Sequence, residues 1–215
     1  VPADPVTTPA TADDSGASAE APARRGRPGY DREGLLAVAV QLFNEQGYDA
    51  TSVSDLARRL GLTKSALYHH FSSKEELLAV ALEAALGGLE AVLDEPGARE
   101  GAASDRLRFV LTGATDVLVA QLPAVTLLLR VRGNSEVEQA ALERRRLFDH
   151  RVTALVAEAQ AEGDVRDDVD AAVAARLLFG MINSVVEWYR PGGGVDGDRL
   201  GADIVRIALD GLRTA

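Results

Sequence analysis

The sequence predicts an all-α fold, and three observations carry that reading. Aromatic residues make up only 5% of the chain while alanine is abundant, a balance that favours helices over sheets. Apolar residues recur every three to four positions in one segment after another, and no stretch shows the strict alternation of a half-buried strand. Most of these segments open on Ser, Thr or Asp and close on Gly or Pro, which is how helix ends are punctuated.

Residues 1–29 are rich in Pro, Ala, Thr, Ser and Asp with almost no bulky apolar side chain, so they are expected to stay disordered. A first helix then runs from an N-cap at Asp31 to Gly47, carrying Leu35, Leu36, Ala39, Val40, Leu42 and Phe43. Ser52 with Asp55 forms a capping box before a short helix through Leu60, Gly61 ends it, and Thr63 caps a third helix through His70. Ser72 with Glu75 reads as a second capping box, opening a helix from Lys74 to Leu93 that stops before Pro96. Further helices are expected over Ser104–Gln121, from Pro123 to Gly133, and from a cap at Asn134 or Ser135 to Glu162. A very apolar one follows, from Asp168 or Asp170 to Tyr189, and the last runs over Asp198–Leu212 after the Pro191-Gly192-Gly193-Gly194 turn.

The formal charge of −10 argues at first against a nucleic-acid partner, because phosphates must be met by cations. The average conceals a division. Residues 1–23 hold four acids and no base, residues 24–74 hold eight bases against five acids, and residues 75–215 hold fifteen bases against twenty-four acids. Only the stretch containing the three short helices can face DNA. The chain has no cysteine, which removes disulfides, thiolate metal sites and thiol nucleophiles, and no apolar run reaches the roughly 18 residues of a membrane span. A cytoplasmic protein with no membrane partner is therefore expected.

Thr51-Ser-Val-Ser-Asp-Leu-Ala-Arg-Arg-Leu-Gly-Leu-Thr-Lys-Ser-Ala-Leu-Tyr-His-His-Phe71 reads as two short helices about a glycine turn. Leu56, Ala57, Leu60, Leu62, Leu67 and Phe71 fall on an inward face, leaving Lys64, Ser65, Tyr68 and His69 outward on the second helix. That arrangement suits entry into a major groove; an ordinary helical hairpin is the alternative. The residues are more telling than the pattern. Thr51 and Ser52, Asp55-Leu-Ala57, Gly61, Leu67-Tyr-His-His-Phe71 and Ser73-Lys-Glu75 closely resemble the amino-terminal domain of the TetR family of bacterial repressors.

The resemblance implies a three-helix DNA-binding head over residues 30–75, then a ligand-binding and dimerisation body over 76–215 with a connecting helix at its start. It implies no enzymatic activity and no cofactor. Its partners would be double-stranded operator DNA, a small-molecule effector and a second copy of the chain. Tyr68 matches the family's phosphate- and base-contacting aromatic, Lys74 its phosphate-binding lysine, Thr51 or Ser52 its hydroxyl residue, and His70 a backbone-contacting histidine; Lys64 and Ser65 occupy the variable positions that choose bases, and the outward His69 is a further DNA-binding candidate. For Tyr68 and His70 packing within the head is the alternative. Arg25-Gly-Arg27-Pro28, preceded by Arg24, looks like a minor-groove arm of the AT-hook kind, with a plain solubilising charge run as the alternative.

In the body, Leu177, Met181, Val185 and Trp188 form one stripe of the Asp170–Tyr189 segment, and Arg176, Gly180, Asn183 and Glu187 form another. A polar stripe on a buried helix needs satisfying, by a ligand or across a subunit interface. Trp188-Tyr-Arg-Pro-Gly-Gly193 together with Leu129-Arg-Val-Arg-Gly-Asn134 resembles TetR-type regulators of fatty-acid, phenylacetate and steroid degradation. That implies an acyl-CoA effector, its acyl part against Phe148, Phe179 and Met181, Asn183 as a polar contact, and Arg130 or Arg145 near CoA phosphate. Phe179 and Asn183 stand where larger or basic pocket residues are usual, so the acyl group stays open. Release of an efflux-gene repressor by a lipophilic drug is the second reading, and an all-helical enzyme using the same cavity the third. No H-E-x-x-H, G-x-S-x-G or P-loop pattern occurs, and His69 and His70 diverge by about 100° on a helix, so they cannot pair on a metal. The last two helices, with Ile204, Val205, Ala208 and Leu212 as an apolar stripe, are expected to pair two subunits as a four-helix bundle.

Overall fold

The computed structural model describes residues 31–211, and these are helical throughout apart from turns. Three short helices, α1 (Arg32–Gln46), α2 (Val53–Leu60) and α3 (Lys64–Tyr68), form the head. Asp31, Ser52 and Thr63 cap them through side-chain oxygens, as their positions predict, and Gly61 takes the left-handed conformation (φ 66°) that turns α2 into α3. Leu35, Phe43, Leu56, Leu60, Leu67 and Phe71 bury together and close the head onto α4 (Lys74–Asp94).

The cap of α4 corrects the expectation by one residue. Ser73, not Ser72, accepts the N–H of Glu76, while the Glu76 carboxylate accepts from the Ser72 backbone and hydroxyl at 2.6 and 2.7 Å. Those bonds, with Arg32 at 2.9 Å, hold the Glu76 carboxyl below the usual range. A one-turn helix, α5 (Pro96–Arg99), occupies what the sequence marked only as a stop; proline fits its first position, where no N–H partner is needed.

The body stacks α6 (Ala103–Ala120), α7 (Leu122–Arg130), α8 (Glu136–Glu162), α9 (Ala171–Trp188) and α10 (Gly197–Val205) around one core shared with α4. Ser135 caps α8, left-handed Gly163 closes it, and Asp170 caps α9. Helix α6 is the hub, touching α4, α8, α9 and α10. Its approach to α4 depends on Gly113, where an added Cβ would stand 2.7 Å from the Val92 side chain. The last helix is not uniform: a π-helical turn over Arg206–Asp210 follows α10, and Leu212 lies outside the described residues.

Within the apolar stripe expected on the last helix, Ile204 and Val205 are buried in the protomer, where α10 packs mainly on α6, so these two side chains belong to the core, while Ile207 is 44% exposed. An aspartate at Ile204 would therefore destabilise the protomer itself and does not test a dimer.

Candidate DNA-binding surface and effector groove

On the head, Lys64, Ser65, Tyr68, His69 and His70 all lie exposed on or just after α3. Tyr68 is 49% exposed, so it does not pack into the head, and the same exposure removes the packing alternative for His70. Leu67 and Phe71 anchor the other face of this segment, and the Arg32 guanidinium stacks 4.7 Å from the Phe71 ring centroid. The result is a short helix held firmly from behind with its front free.

Thr51 and Ser52 separate cleanly. The Thr51 side chain is buried and its hydroxyl donates to the Gly47 carbonyl at 2.7 Å, so it fixes the turn before α2, and of the two candidates for the hydroxyl residue at the DNA surface Ser52 is the exposed one. Ser52 stays exposed, and its hydroxyl is shared with the Asp55 carboxylate across a capping box. Lys74 is also partly committed. Its ammonium donates to the Tyr48 and Thr51 carbonyls at 3.0 and 3.1 Å and stands 4.1 Å from the Tyr48 ring centroid. An ammonium has three donors, so one N–H remains for a phosphate. Burial, helped by Glu75, Glu138 and Asp49, pushes the Tyr48 hydroxyl pKa up to about 12, so the ring stays neutral beneath that cation. The arginines Arg24, Arg25 and Arg27 lie outside the described residues.

Sequence reasoning passed over the arginines of α2. Arg58 is largely exposed beside Asp55, and Arg59 pairs with Glu45 at 3.3 Å, both on the cationic side of the head. Their signal in the sequence is two adjacent arginines at the end of a capped helix, which the apolar periodicity alone does not single out. Replacing Tyr68 by alanine should weaken operator binding by about 1–3 kcal/mol, and Lys64→Ala should change base preference at similar cost, both read by fluorescence anisotropy on a selected operator. Unchanged affinity in both variants would remove α3 from the groove.

Between head and body, α7 is clasped to the end of α1. Asn44 Nδ2 donates to the Pro123 carbonyl at 2.8 Å, Arg130 donates to the Asn44 carbonyl at 2.7 Å, and Asn134 donates to Asp49 at 2.7 Å. Arg130 is therefore a fastener of this junction; it lines neither space between α8 and α9 but a separate one of about 490 Å³ beside Asn44, Tyr48, Arg132 and Glu138.

In the body, two spaces meet. An inner cavity of about 30 Å³ is lined by Leu89, Ala114, Leu118, Val125, Leu128, Leu129, Phe148 and Ile182. An outer groove of about 500 Å³ between α8 and α9 is lined by Arg146, His150, Val152, Thr153, Ala172, Ala175, Arg176 and Gly180. Arg145, Asp149, Phe179 and Asn183 line both, so they form the passage between them. Phe148 and Phe179 meet edge-to-face at 5.3 Å there. Of the arginines flanking α8 that could meet an anion, only Arg145 and Arg146 line the groove; Arg144 is bound to Glu83 and Glu90, and Arg151 lies 3.7 Å from Asp94. Arg176, from α9, joins them.

Among the described residues, Asp149 is the lone carboxylate lining that groove. Partial desolvation pushes its carboxyl above the usual range, against the pull of Arg145, His150 and Arg176. A raised carboxylate pKa means the folded state binds this proton more tightly than the unfolded chain. Its charge is therefore a burden at neutral pH that eases as pH falls through the raised value. Asp149→Asn should raise Tm slightly at pH 7, lose that advantage near pH 4, and admit anions to the groove more readily; a lower Tm at pH 7 would contradict the sign.

The other face of α9 is left uncovered by the described residues. Leu177 is 66%, Trp188 49% and Met181 37% exposed, and Val173 extends the stripe. Met181 thus points away from both spaces and is withdrawn from the expected acyl contacts. The polar stripe divides too, with Arg176, Gly180 and Asn183 lining the groove and Glu187 exposed. Contrary to the reading of apolar runs, α9 is by length and a mean hydropathy of 1.3 over 18 residues apolar enough to cross a membrane. Its inner face carries Ala175, Ile182 and Val185 in the core, and Arg176 and Glu187 interrupt its surface, so a partner protein surface suits it better than lipid.

Comparison with known proteins agrees with this geometry. Residues 35–81 match the family model described as bacterial regulatory proteins, tetR family, and residues 100–212 match the tetracyclin repressor-like C-terminal domain. The transcriptional repressor KstR2 of Rhodococcus jostii is 31% identical over 212 residues, covering 95% of this chain and 97% of that protein. A crystal structure of a TetR regulator from Streptomyces coelicolor is 54% identical with a TM-score of 0.80, over 84% of this chain and 91% of that one. A further crystal structure, AibR in complex with isovaleryl coenzyme A and operator DNA, has a TM-score of 0.68 at 22% identity, over 83% and 97% of the two chains, a likeness of fold.

Proposed function

The chain belongs to the TetR family of bacterial transcriptional regulators, a DNA-binding repressor and not an enzyme, and on that premise we propose that a coenzyme A thioester releases it from its operator. The observation that carries this reading is the meeting of a cationic groove with an apolar cavity through one passage. Phosphates of the CoA part would lie against Arg145, Arg146 and Arg176, where charge-assisted hydrogen bonds are strongest. The acyl group would pass Phe179 toward Phe148, and the Asn183 amide would meet the thioester carbonyl. AibR, which shares the fold, carries isovaleryl coenzyme A in its crystal structure. A lipophilic cation suits this groove poorly, since three arginines face it.

The unit that binds would be a homodimer joined through the exposed stripe of α9, reading a palindromic operator with one α3 from each protomer. Within each protomer, residues 30–75 would act as the head and 76–215 as the body. Residues 1–29 would add the basic arm, with Arg25 and Arg27 entering the minor groove. Ser52, Lys64, Ser65, Tyr68, His69 and His70 are the contacts proposed for the head, with the third donor of Lys74 on phosphate.

Release requires that the ligand prefer the arrangement in which the heads are wrongly spaced; equal affinity for both arrangements would release nothing. Two connections could transmit that preference. Arg144, next in sequence to Arg145, holds α4 through Glu90 and Glu83, and these bonds keep the Glu90 carboxyl below its usual range. Helix α7 lines the cavity with Val125, Leu128 and Leu129 and is fastened to α1 by Asn44 and Arg130. Isothermal calorimetry with CoA thioesters and with lipophilic cations tests the reading. Binding of the thioesters supports it; binding of the cations alone gives the site to an efflux-type repressor.

A further inference from the structure

We infer that the chain holds a second small-molecule site, for a zwitterion of the class of an amino acid with an apolar side chain, in the space where the end of α1, α7 and the start of α8 meet. That space, of about 490 Å³, shares no lining residue with the cavity and groove of the body, so the inference stands apart from the thioester reading.

Buried acceptors occupy its inner side. Glu138 is 4% exposed; one carboxylate oxygen accepts the Asn134 N–H at 2.6 Å, and the other meets no donor among the described residues. Asn44 Oδ1 is buried without a partner, and it cannot exchange places with Nδ2, whose bond to the Pro123 carbonyl at 2.8 Å needs a donor. Tyr48 Oη is also buried without a well-formed hydrogen bond, with the Glu75, Glu138 and Asp49 carboxylates near it. The last turn of α1 carries no base to offset the negative end of its dipole. A buried carboxylate and a buried orphan acceptor are costly unless something donates to them. An ammonium, with three donors and a positive charge, answers both.

Cations stand on the rim. Arg132 is exposed and pairs with no carboxylate among the described residues, while Arg130 gives one N–H to the Asn44 carbonyl and retains the rest. These guanidinium groups repel a plain amine and suit a carboxylate, so a zwitterion fits the space better than a cation. Phe43, Leu78 and Leu127 are buried apolar walls of the same space and Val131 a partly buried one, which favours an apolar side chain on the ligand. Asn44 and Tyr48 belong to the head, Leu127 and Glu138 to the body. A bound molecule therefore ties one to the other beside the Asn44–Arg130 fastening, and acts on head position as a second effector.

Calorimetry on the full-length protein with leucine and phenylalanine tests the site, with 4-methylpentanoate and leucinamide as carboxylate-only and ammonium-only controls. At least one of the two amino acids should bind, at least about tenfold more tightly than either control. Arg132→Ala and Glu138→Gln, with native circular dichroism, should each weaken that binding at least about tenfold. Exposed Arg132 keeps the test decisive if the Glu138 variant folds poorly. Silence toward both amino acids would mean that water alone meets Asn44 and Glu138, and would overturn the proposal. Binding of leucinamide as tight as that of leucine would overturn the zwitterion, and undiminished binding in both variants would place the amino acid elsewhere.

Discussion

Changing Leu177 and Trp188 together to aspartate should turn the protein into monomers whose affinity for a full operator falls at least about a hundredfold. Both side chains stand on the uncovered face of α9 and are 66% and 49% exposed, so the protomer does not need them to fold. Full burial of a side chain of this size contributes about 1.5–3 kcal/mol, and a twofold interface counts each change twice. Four buried carboxylates would then face one another across the axis. A monomer meets one half-site, so it forfeits the half of the contacts that the second head makes. Sedimentation equilibrium reads the mass and anisotropy the affinity. A variant that stays dimeric, with native circular dichroism, would place the interface elsewhere.

The second large effect concerns the groove. Reversing Arg145 and Arg176 to glutamate should abolish the response to CoA thioesters while operator binding without ligand persists. Each arginine–phosphate contact is a charge-assisted hydrogen bond contributing about 1.5–3 kcal/mol. Losing two of them, and adding repulsion beside Asp149, should cost well over a hundredfold in thioester affinity. The exposed α3 and its supports, Phe71 and the Arg32–Glu76 pair, are unaffected by these changes. Undiminished release by thioesters in this variant would mean that the anion binds elsewhere.

Much of the fold was legible because helix ends obey local chemistry. Asp31, Ser52, Thr63, Ser135 and Asp170 act as caps where their positions suggested, and Gly61 and Gly163 take left-handed conformations where the pattern stops. The shift from Ser72 to Ser73 shows the limit of that logic. Two serines each lie three residues before a glutamate, and only Arg32, 44 positions away from Glu76, helps to settle which carboxylate turns back.

Site residues were legible where one element decides them and misassigned where a neighbour does. The periodicity of α3 puts Tyr68 and Lys64 outside whatever covers the other face. For α9, periodicity separates Met181 from Asn183, but it cannot say which stripe faces α8 and which faces a partner. Ile204 failed for the same reason, since its burial comes from α6. Thr51 and Arg130 are polar residues whose hydrogen bonds to Gly47 and Asn44 carbonyls exist only once the turns are formed. Such partners leave no trace in a one-dimensional pattern.

A CoA thioester bound in the body should loosen the heads from DNA, and that coupling can be measured directly. The measurement is fluorescence anisotropy of an operator selected from a random duplex library, bound by the full-length protein and titrated with propanoyl-CoA. The expected result is complete dissociation at saturating thioester, recovered by added protein, with free CoA far less effective. Retention of full operator affinity under thioester concentrations that calorimetry shows to be saturating would contradict it.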